Sequence, residues 1–424
     1  MDRQSSVYQS YVQILKEELI TAMGCTEPIA LAYAAARCRE ILGKLPERVK
    51  VEVSGSILKN VKSVIVPNTG GQKGIAAAVS AGLIAGRPEK MLEVIAEVSK
   101  EQQSEIRAYA EHAEIEICHL DSGRVFDIIV EGTAGDDRAK VRIANYHTNV
   151  VLEECNGNVL MESVPDGDQE EGLTDRSLLH MEAIWDFAMT CDLSDIKDVL
   201  EHQVKCNMAI AEEGMKGEYG AHIGKVLTDA YGDGISNRAS AKAAAASDAR
   251  MSGCELPVVI NSGSGNQGIT CSVPVIEYAR ELGVSEEKMY RALALSNLVA
   301  IHQKTGIGRL SAFCGAVCAG AAAGAGIAYL RGGDYEAVAH TVVNGLAVVS
   351  GMVCDGAKPS CAAKIAASVN AGILGYEMYI RGQQFYGGDG IITKGADNTI
   401  RNIGRLGKDG MSGTNNEIIK IMLE

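Results

Sequence analysis

The chain has 424 residues, and 54 acidic against 40 basic side chains give it a formal net charge of −14 at pH 7. This length is sufficient for a large core and for two domains, and the acidic balance argues against nucleic acid or an anionic membrane as a partner. Because the N-terminal segment lacks the apolar stretch of a signal peptide, a cytoplasmic location is expected, where most of the 12 cysteines stay reduced.

The N-terminal segment predicts a helix that a short motif interrupts. Apolar residues recur at helical spacing over residues 8–42, except at the sequence GCTEP, residues 24–28. Thr26 is a suitable N-cap and the following proline fits the first turn, so a helix over residues 29–41 is predicted after the motif. The motif therefore places Cys25 close to the beginning of a helix.

The next segment predicts short strands and two helices around a glycine-rich turn. Residues 49–53 (VKVEV) alternate as a strand does, and residues 63–66 are a second short candidate. The glycine-rich turn at 67–71 leads to a helix of small apolar residues over 74–85, and residues 91–103 predict a further amphipathic helix. These elements begin a region of mixed α and β structure.

From residue 114 the pattern changes to the period of two that is typical of strands. Turn-forming pairs such as Asn156-Gly157 separate the segments, which indicates an antiparallel meander. The predicted strands cover residues 114–120, 125–131, 139–146, 149–154 and 158–164. The polar, acidic stretch at 164–174 is expected to be a linker or an exposed loop.

The C-terminal part of the chain predicts helices rich in Ala and Gly, apart from a strand at 256–260 and the loop after it. The uncharged stretch 310–330 reaches the length of a membrane span. Its Ala and Gly composition favours close packing in a protein core instead, so no membrane partner is expected. Such helices of small residues also allow packing in a homodimer.

These patterns together predict the fold class α+β. A large Ala/Gly-rich helical domain is expected to comprise residues 1–44 and 178–424. A smaller mixed α+β domain, residues 45–177, is expected to carry the antiparallel meander.

The cysteines are concentrated in two motifs, CGAVCAG at residues 314–320 and CDGAKPSC at residues 354–361, with Cys25 as an outlying thiol. Thiols grouped in Gly/Ala-rich helices, in a chain with no export signal, favour an iron–sulfur cluster over disulfides. The spacing is not that of ferredoxins, so other interpretations stay open. The cysteines of the first motif are also compatible with packing in an apolar interface, and those of the second with a zinc site.

Two glycine-rich loops are candidates for anion binding, NSGSGNQGI at residues 261–269 and PNTGGQKG at residues 67–74. Their backbone donors suit a carboxylate or a phosphate, although a tight helix–helix turn or a phosphate cup for pyridoxal phosphate fits the first loop equally. His147 is either a proton carrier or a surface histidine. Three cations before the first cysteine motif either neutralise a carboxylate or a reduced cluster or solvate a loop: His302, Lys304 and Arg309.

Five stretches together resemble the iron–sulfur L-cysteine desulfidases, which are relatives of the α-chain of iron–sulfur L-serine dehydratases. The stretches are GCTEPIALAYAAA, VPNTGGQKG, NSGSGNQGI, SAFCGAVCAG and CDGAKPSCAAKIA, and they follow the family's order over nearly the whole chain. The resemblance implies that Cys314, Cys354 and Cys361 hold a [4Fe–4S] cluster and that Cys25 has a catalytic role. Cys318 is not required by the pattern and is expected to belong to the core.

The resemblance further implies a lyase that converts L-cysteine to hydrogen sulfide, ammonia and pyruvate by α,β-elimination. Three thiolate ligands leave one iron of the cluster free to act as a Lewis acid on the substrate. Cys25 then acts either as a thiolate base, favoured by the helix N-terminus beside it, or as a fourth ligand that dissociates when the substrate arrives. The residues expected to bind the substrate come from the two glycine-rich loops: Asn68, Thr69, Ser262, Ser264 and Asn266.

Three alternatives stay open. The first is L-serine dehydratase activity on the same scaffold, although the end of the chain, NNEIIKIMLE, lacks the cysteine-bearing tail of many serine dehydratases. The second is a pyridoxal phosphate lyase, for which Lys304 or Lys364 is the candidate for the Schiff base. The third is a non-catalytic protein that senses cysteine or redox state.

Overall fold

A computed structural model describes residues 1–163 and 173–424 of the protein. The fold is α+β, as the sequence predicts. Most of the loop predicted at 164–174 lies outside the described residues.

The described residues form helices throughout the chain and strands mainly in its first half. The helices are α1 (Ser6–Glu18), α2 (Thr26–Leu42), α3 (Gly55–Val61), α4 (Gly74–Ala85), α5 (Lys100–His112), α6 (Met181–Thr190), α7 (Lys197–Lys216), α8 (Ile223–Tyr231), α9 (Ile235–Met251), α10 (Gly265–Glu281), α11 (Glu286–Ile307), α12 (Gly315–Leu330), α13 (Tyr335–Val349), α14 (Ser360–Tyr379), α15 (Ala396–Arg405) and α16 (Ser412–Leu423). The strands are β1 (Thr21–Met23), β2 (Arg48–Val53), β3 (Glu114–His119), β4 (Asp127–Ala134), β5 (Asp137–Ala144), β6 (Val150–Cys155), β7 (Asn158–Glu162) and β8 (Pro257–Val259).

Six strands form one sheet, in the order β3-β2-β4-β5-β6-β7. Strands β4 to β7 pair antiparallel with their neighbours, which confirms this part of the predicted meander. The prediction is wrong for β3, which pairs parallel to β2 at the sheet edge. Helices α3, α4 and α5 lie between these two strands in the sequence, and a parallel pair requires such a crossover.

Two other local predictions are wrong. The helix predicted at 91–103 is replaced by a short 3₁₀ helix, Pro88–Glu93, and by α5, which begins later because Ser99 and Gln102 form a capping box. The strand predicted at 63–66 contributes only an isolated bridge. In both places a local turn or cap outweighs the apolar spacing on which the prediction rests.

The core of the C-terminal part is built from helices of small residues that pack backbone against backbone. Helix α12 lies among α10, α11, α13 and α14. A Cβ atom on Gly324 would lie 2.6 Å from the carbonyl oxygen of Gly372, so the two helices approach too closely for a side chain there. Within residues 1–163 and 173–424, no helix has both the length and the apolar composition of a bilayer-spanning segment.

Candidate functional site

The N-terminal ends of four helices meet at one small cavity of about 100 Å³. Cys25 is the N-cap of α2 and Cys314 is the N-cap of α12, while Ser264 caps α10 and Cys361 lies in the first turn of α14. All four residues line the cavity, which we call the thiol cavity. Because helix N-termini carry partial positive charge, their convergence favours thiolates and other anions at this place.

A pairing between two distant loops brings Cys354 to the same cavity. Phe313 and Val353 form an isolated antiparallel bridge. Beside it, the backbone N–H of Cys314 donates to the Met352 carbonyl at 3.0 Å, and that of Cys354 donates to the Ala312 carbonyl at 2.6 Å. The two cysteine motifs are therefore held side by side by main-chain hydrogen bonds.

The cysteine thiols of the two motifs influence one another electrostatically. Burial and the neighbouring Cys354 and Cys361 thiols raise the pKa of Cys314 to about 12. Burial also raises the pKa of Cys361, with Cys354 adding to the shift. Cys318 lies one turn further along α12 and is fully buried, and it does not line the thiol cavity. The structure thus brings Cys25, Cys314, Cys354 and Cys361 together and leaves Cys318 in the core.

The lining of the thiol cavity offers polar atoms to a bound group. Three of its side chains have a buried polar atom without a hydrogen-bond partner in the described part of the chain: Asn60 Oδ1, Arg250 Nε and Gln267 Oε1. Buried polar atoms are normally paired, so these atoms mark a place for a bound group, with the Arg250 Nε–H as a donor and the two amide oxygens as acceptors. Thiolates are the ligands that iron–sulfur clusters take, and the donor set therefore fits a cluster.

The spacing of these side chains does not suit a single metal ion. Among the described residues, no three His, Cys, Asp or Glu side chains lie close enough together to hold one ion. A cluster imposes a different requirement, because each thiolate binds a separate iron. Cys314, Cys354 and Cys361 line one cavity, as such an arrangement requires.

Cys25 is held by a carboxylate that sequence analysis missed. Its thiol donates to Glu27 Oε2 at 3.1 Å, and the Thr26 hydroxyl donates to the Gly263 carbonyl at 2.9 Å. Burial and the Glu27 carboxylate raise the pKa of Cys25 well above its ordinary value. The expectation that the helix N-terminus lowers the thiol pKa is therefore wrong, and so is Thr26 as the N-cap, since Cys25 occupies that position.

Glu27 is buried at the edge of the thiol cavity, and its pKa is nevertheless low. Burial by itself would raise the pKa of Glu27, but the protonated form of His147, present only under acidic conditions, and hydrogen bonds that include one from Cys25 bring it below its ordinary value. The Asn60 amide donates to the other carboxylate oxygen at 2.9 Å. The only sequence signal for this residue is its place in the GCTEP motif, where an acidic side chain is also common at a helix start.

His147 is buried, so its interpretation as a surface histidine is wrong. Its ring packs edge-on against Phe126 with centroids 4.8 Å apart, and a Cβ atom on Gly263 would lie 3.0 Å from its Cε1. Burial lowers the pKa of His147 to about 4. The ring therefore stays neutral near pH 7, behind the turn that borders the thiol cavity.

The loop after β8 is shorter than predicted, because residues from Gly265 onward belong to α10. Ser264 accepts a hydrogen bond from the Gln267 backbone N–H, and Asn266 Oδ1 accepts one from Arg250 Nη1 at 3.1 Å. Ser264 and Asn266 line the thiol cavity, whereas Ser262 lines a larger neighbouring cavity. Two of the five predicted substrate-binding residues, Ser264 and Asn266, therefore line the same cavity as the cysteines, and Ser262 lines the adjoining one.

The structure does not bring Asn68 and Thr69 to either cavity. The Asn68 amide donates to the Ile95 carbonyl at 2.8 Å, and the Thr69 hydroxyl donates to the Val66 carbonyl at 2.7 Å. The glycine-rich turn at 67–71 contacts the segment before Cys25 instead of lining a cavity. A Cβ atom on Gly24 would lie 2.8 Å from Pro67 Cγ, so this turn supports the segment that carries Cys25.

The variant Gly24→Ala is expected to lower both stability and activity. Gly24 has φ +61°, and a side chain in that conformation costs about 1–2 kcal/mol before its contact with Pro67 is counted. Gly71→Ala is the matched control, because Gly71 has φ +87° with no atom within 4 Å of an added Cβ. Denaturant unfolding measures the loss of stability, and kcat measures the loss of activity. Equal kcat values for the two variants would contradict a role of the Gly24–Pro67 contact in positioning Cys25.

The larger neighbouring cavity, which we call the outer cavity, has a volume of about 620 Å³. It shares Lys304, Arg309, Leu310 and Ser311 with the thiol cavity. The buried Glu18 carboxylate accepts a hydrogen bond from Arg309 Nη2 at 3.0 Å. Burial would raise the pKa of Glu18, but Arg309 and a second arginine, Arg176, bring it below its ordinary value.

The other candidate cations, His302 and Lys364, form hydrogen bonds or ion pairs with other residues. His302 Nε2 lies 2.7 Å from Asp397 Oδ1, and His302 lines neither cavity. Lys364 Nζ donates to the Val353 carbonyl at 2.8 Å and pairs with Asp355. Of the cations that the sequence singles out, Lys304 and Arg309 are thus the ones at the two cavities.

Comparison with known proteins agrees with the motifs in the cavity. The sequence profile of the family described as "Serine dehydratase alpha chain" matches residues 89–420. A UPF0597 protein of Desulfitobacterium hafniense is 59% identical over 100% of this chain and 98% of its own length. UPF0597 proteins of Treponema denticola and Lachnoclostridium phytofermentans are 46% and 47% identical, over 100% and 98% of this chain and 100% of their own lengths.

Proposed function

Because the chain belongs to the serine dehydratase alpha chain family, we propose that it is a carbon–sulfur lyase that converts L-cysteine and water to hydrogen sulfide, ammonia and pyruvate. A dehydratase expels the β-substituent of its substrate, and the expulsion of hydrosulfide from cysteine is the same type of elimination. The observation that carries the proposal is the meeting of Cys25, Cys314, Cys354 and Cys361 at one buried cavity.

In this proposal Cys314, Cys354 and Cys361 hold a [4Fe–4S] cluster. When bound, the cluster supplies a Lewis acid that activates the leaving sulfur. The N-termini of α12 and α14 stabilise the negative charge of the thiolates. The unpaired atoms of Asn60 and Gln267 line the space beside them and are available to a bound group.

The removal of the substrate α-proton is assigned to Cys25, with Glu27 as its partner. The thiol is protonated at rest because burial and the adjacent carboxylate raise its pKa. The sulfur accepts the α-proton only as a thiolate, and Glu27 Oε2, 3.1 Å away, is the adjacent group that can receive the thiol proton. The opposite pKa shifts of Cys25 and Glu27 make this transfer uphill at rest, so the thiolate is formed only transiently. The alternative role for Cys25, a fourth ligand that dissociates when substrate binds, leads to a different outcome for the variant discussed below.

The product assay after anaerobic reconstitution tests the proposal directly. The reconstituted protein is expected to show the broad visible absorbance of an iron–sulfur cluster and to release hydrogen sulfide and pyruvate in equal amounts from L-cysteine. A protein that carries the cluster and turns over neither L-cysteine nor L-serine would contradict the proposal and favour a non-catalytic sensor.

L-Serine dehydratase activity is the second candidate, and the description of the matched family favours it. The two substrates differ in one atom, so they are distinguished by the ratio of their kcat/KM values under the same conditions. A ratio in favour of serine would assign the dehydratase activity. A sharp absorption band of an internal aldimine would instead indicate pyridoxal phosphate, with Lys304 as the candidate lysine, since Lys364 is paired with Asp355.

Asn266→Ala is expected to raise KM while the cluster absorbance stays unchanged. Asn266 lines the thiol cavity, and the loss of one polar partner of the substrate costs roughly 1–3 kcal/mol, or about five- to 150-fold in KM. Asn68→Ala is the matched control, because Asn68 makes buried hydrogen bonds away from both cavities. An unchanged KM for Asn266→Ala, or an equal rise for both variants, would remove Asn266 from the substrate site.

A further inference from the structure

Lys304 has an unusual environment for a lysine. It lies in the last turn of α11, its side chain is only 4% exposed, and it lines both the thiol cavity and the outer cavity. No hydrogen bond or ion pair reaches its Nζ from the residues that the structure describes. Burial lowers the pKa of Lys304, and the nearby Cys318, Cys354 and Cys314 thiols oppose that shift only in part. An anionic ligand beside Nζ would therefore stabilise the charged form of this lysine.

Lys59 shows the contrast with an ordinary buried lysine. It is 3% exposed, and its Nζ donates to Asn415 Oδ1 at 2.8 Å and to the Cys354 carbonyl at 3.2 Å. The two lysines have the same burial, but the hydrogen bonds of Lys59 are already formed within the protein. Among the described residues, no hydrogen bond to Lys304 Nζ is formed, so its N–H groups are available to a ligand.

The arginines at the two cavities are engaged, and Lys408, which is exposed, lines only the outer cavity. Arg309 forms an ion pair with Glu18 at 3.0 Å, and Arg176 forms one with the same carboxylate at 2.8 Å. Arg250 donates to Asn266 at 3.1 Å. An anion at the boundary between the cavities therefore finds its complementary charge at Lys304.

We propose that Lys304 anchors the α-carboxylate of the amino-acid substrate at the boundary between the outer cavity and the thiol cavity. This inference rests on the proposed function, because it takes the substrate to be an α-amino acid. The turn formed by Ser262 and Gly263 borders the same boundary, since Ser262 lines the outer cavity and Gly263 the thiol cavity. The turn supplies hydrogen-bonding groups, and Lys304 supplies the charge that the turn lacks.

The position of Lys304 gives it a role in specificity. A carboxylate held at the boundary leaves the rest of a small amino acid within reach of the thiol cavity, where Cys25 lies. A ligand without the carboxylate leaves the buried ammonium unpaired, and such a mismatch is strongly rejected. The anchor therefore selects free α-amino acids over amides and peptides extended at the carboxyl end.

Two ligands without a leaving group test the anchor. L-Alanine retains the α-carboxylate of cysteine, and in L-alaninamide an uncharged amide replaces it. L-Alanine is expected to raise the melting temperature of the full-length, anaerobically reconstituted protein, whereas L-alaninamide at equal concentration leaves it unchanged. Equal stabilisation by the two ligands, or by neither, would overturn the proposal without the use of any variant.

Substitution of the lysine gives the second measurement. Lys304→Met is expected to bind L-alanine at least about tenfold more weakly and to raise KM for L-cysteine by a similar factor, since a charged hydrogen bond is lost. Lys304→Arg, which keeps the charge, is expected to retain the preference for L-alanine over L-alaninamide. Lys100→Met is the control, because Lys100 is exposed and lines neither cavity. If Lys304→Met does not fold, the arginine variant and the wild-type comparison decide.

The outcomes separate the anchor from the proposed function. Lys304→Met with the KM and alanine affinity of the wild type overturns the anchor and leaves the lyase proposal intact. A protein that turns over neither cysteine nor serine but distinguishes L-alanine from L-alaninamide through Lys304 retains the anchor and loses the lyase function.

Discussion

The variant Cys354→Ala is expected to lose both the visible absorbance of the reconstituted protein and its lyase activity. Main-chain hydrogen bonds to Ala312 fix Cys354 beside Cys314, and the two thiols face the same cavity. The fold is expected to survive, because those hydrogen bonds do not involve the side chain. Iron content, visible absorbance and product release, measured on the same preparation, check the result.

Cys318→Ala is the matched control for this experiment. Cys318 lies in α12, one turn after the N-cap residue Cys314. It is fully buried and does not line the thiol cavity. Burial raises the pKa of its thiol to about 11, so it stays protonated. The substitution is expected to cost roughly 1 kcal/mol of stability through a small cavity, with full iron content. If Cys354→Ala retains iron and activity, or if Cys318→Ala loses them, the assignment of the ligands is wrong.

The local parts of the fold could be predicted from the sequence because their signals are local. The pair Asn156-Gly157 has φ values of 50° and 80°, as the turn of a two-residue hairpin requires, and it joins β6 to β7 where predicted. The run of small apolar residues at 74–85 is a helix with the predicted bounds. In these cases neighbouring residues alone determine the backbone conformation.

The parts that depend on distant pairing could not be predicted in the same way. The alternation of apolar and polar residues in β3 is the same whether its neighbour is parallel or antiparallel. The sequence of this segment therefore does not determine its place at the sheet edge beside β2. Likewise, the bridge between Phe313 and Val353 joins two loops that are 40 residues apart in the sequence. The sequence motifs supply the cysteines, whereas this pairing brings them side by side.

The electrostatics of the candidate site were the least accessible from the sequence. A helix start predicts a lowered thiol pKa for Cys25, but burial and a carboxylate at 3.1 Å outweigh the helix end. Glu27 and Lys304 are ionisable residues in the sequence, and their burial at a cavity becomes visible only in the folded chain. Burial determines their chemistry, and burial depends on the whole fold.

Cys25→Ser is expected to lower kcat by roughly 10²–10⁴-fold while the cluster still assembles on the other three cysteines. The serine hydroxyl can donate to Glu27 as the thiol does, so the local structure is preserved. An alcohol is a much weaker acid than a thiol, and it cannot give up its proton to the carboxylate to become the base. Iron content, visible absorbance and kcat of the reconstituted variant are the measurements.

Glu27→Gln sharpens this experiment, because the amide keeps a hydrogen-bonding group beside Cys25 but cannot take its proton. If the thiol and the carboxylate act as a pair, the two single variants and the double variant have nearly the same residual kcat, since either change disables the same proton transfer. Turnover by Cys25→Ser at the wild-type rate would exclude Cys25 as the base. Loss of the cluster in Cys25→Ser, with iron retained in Glu27→Gln, would identify Cys25 as a permanent fourth ligand, and the elimination would then need another group to activate the leaving sulfur.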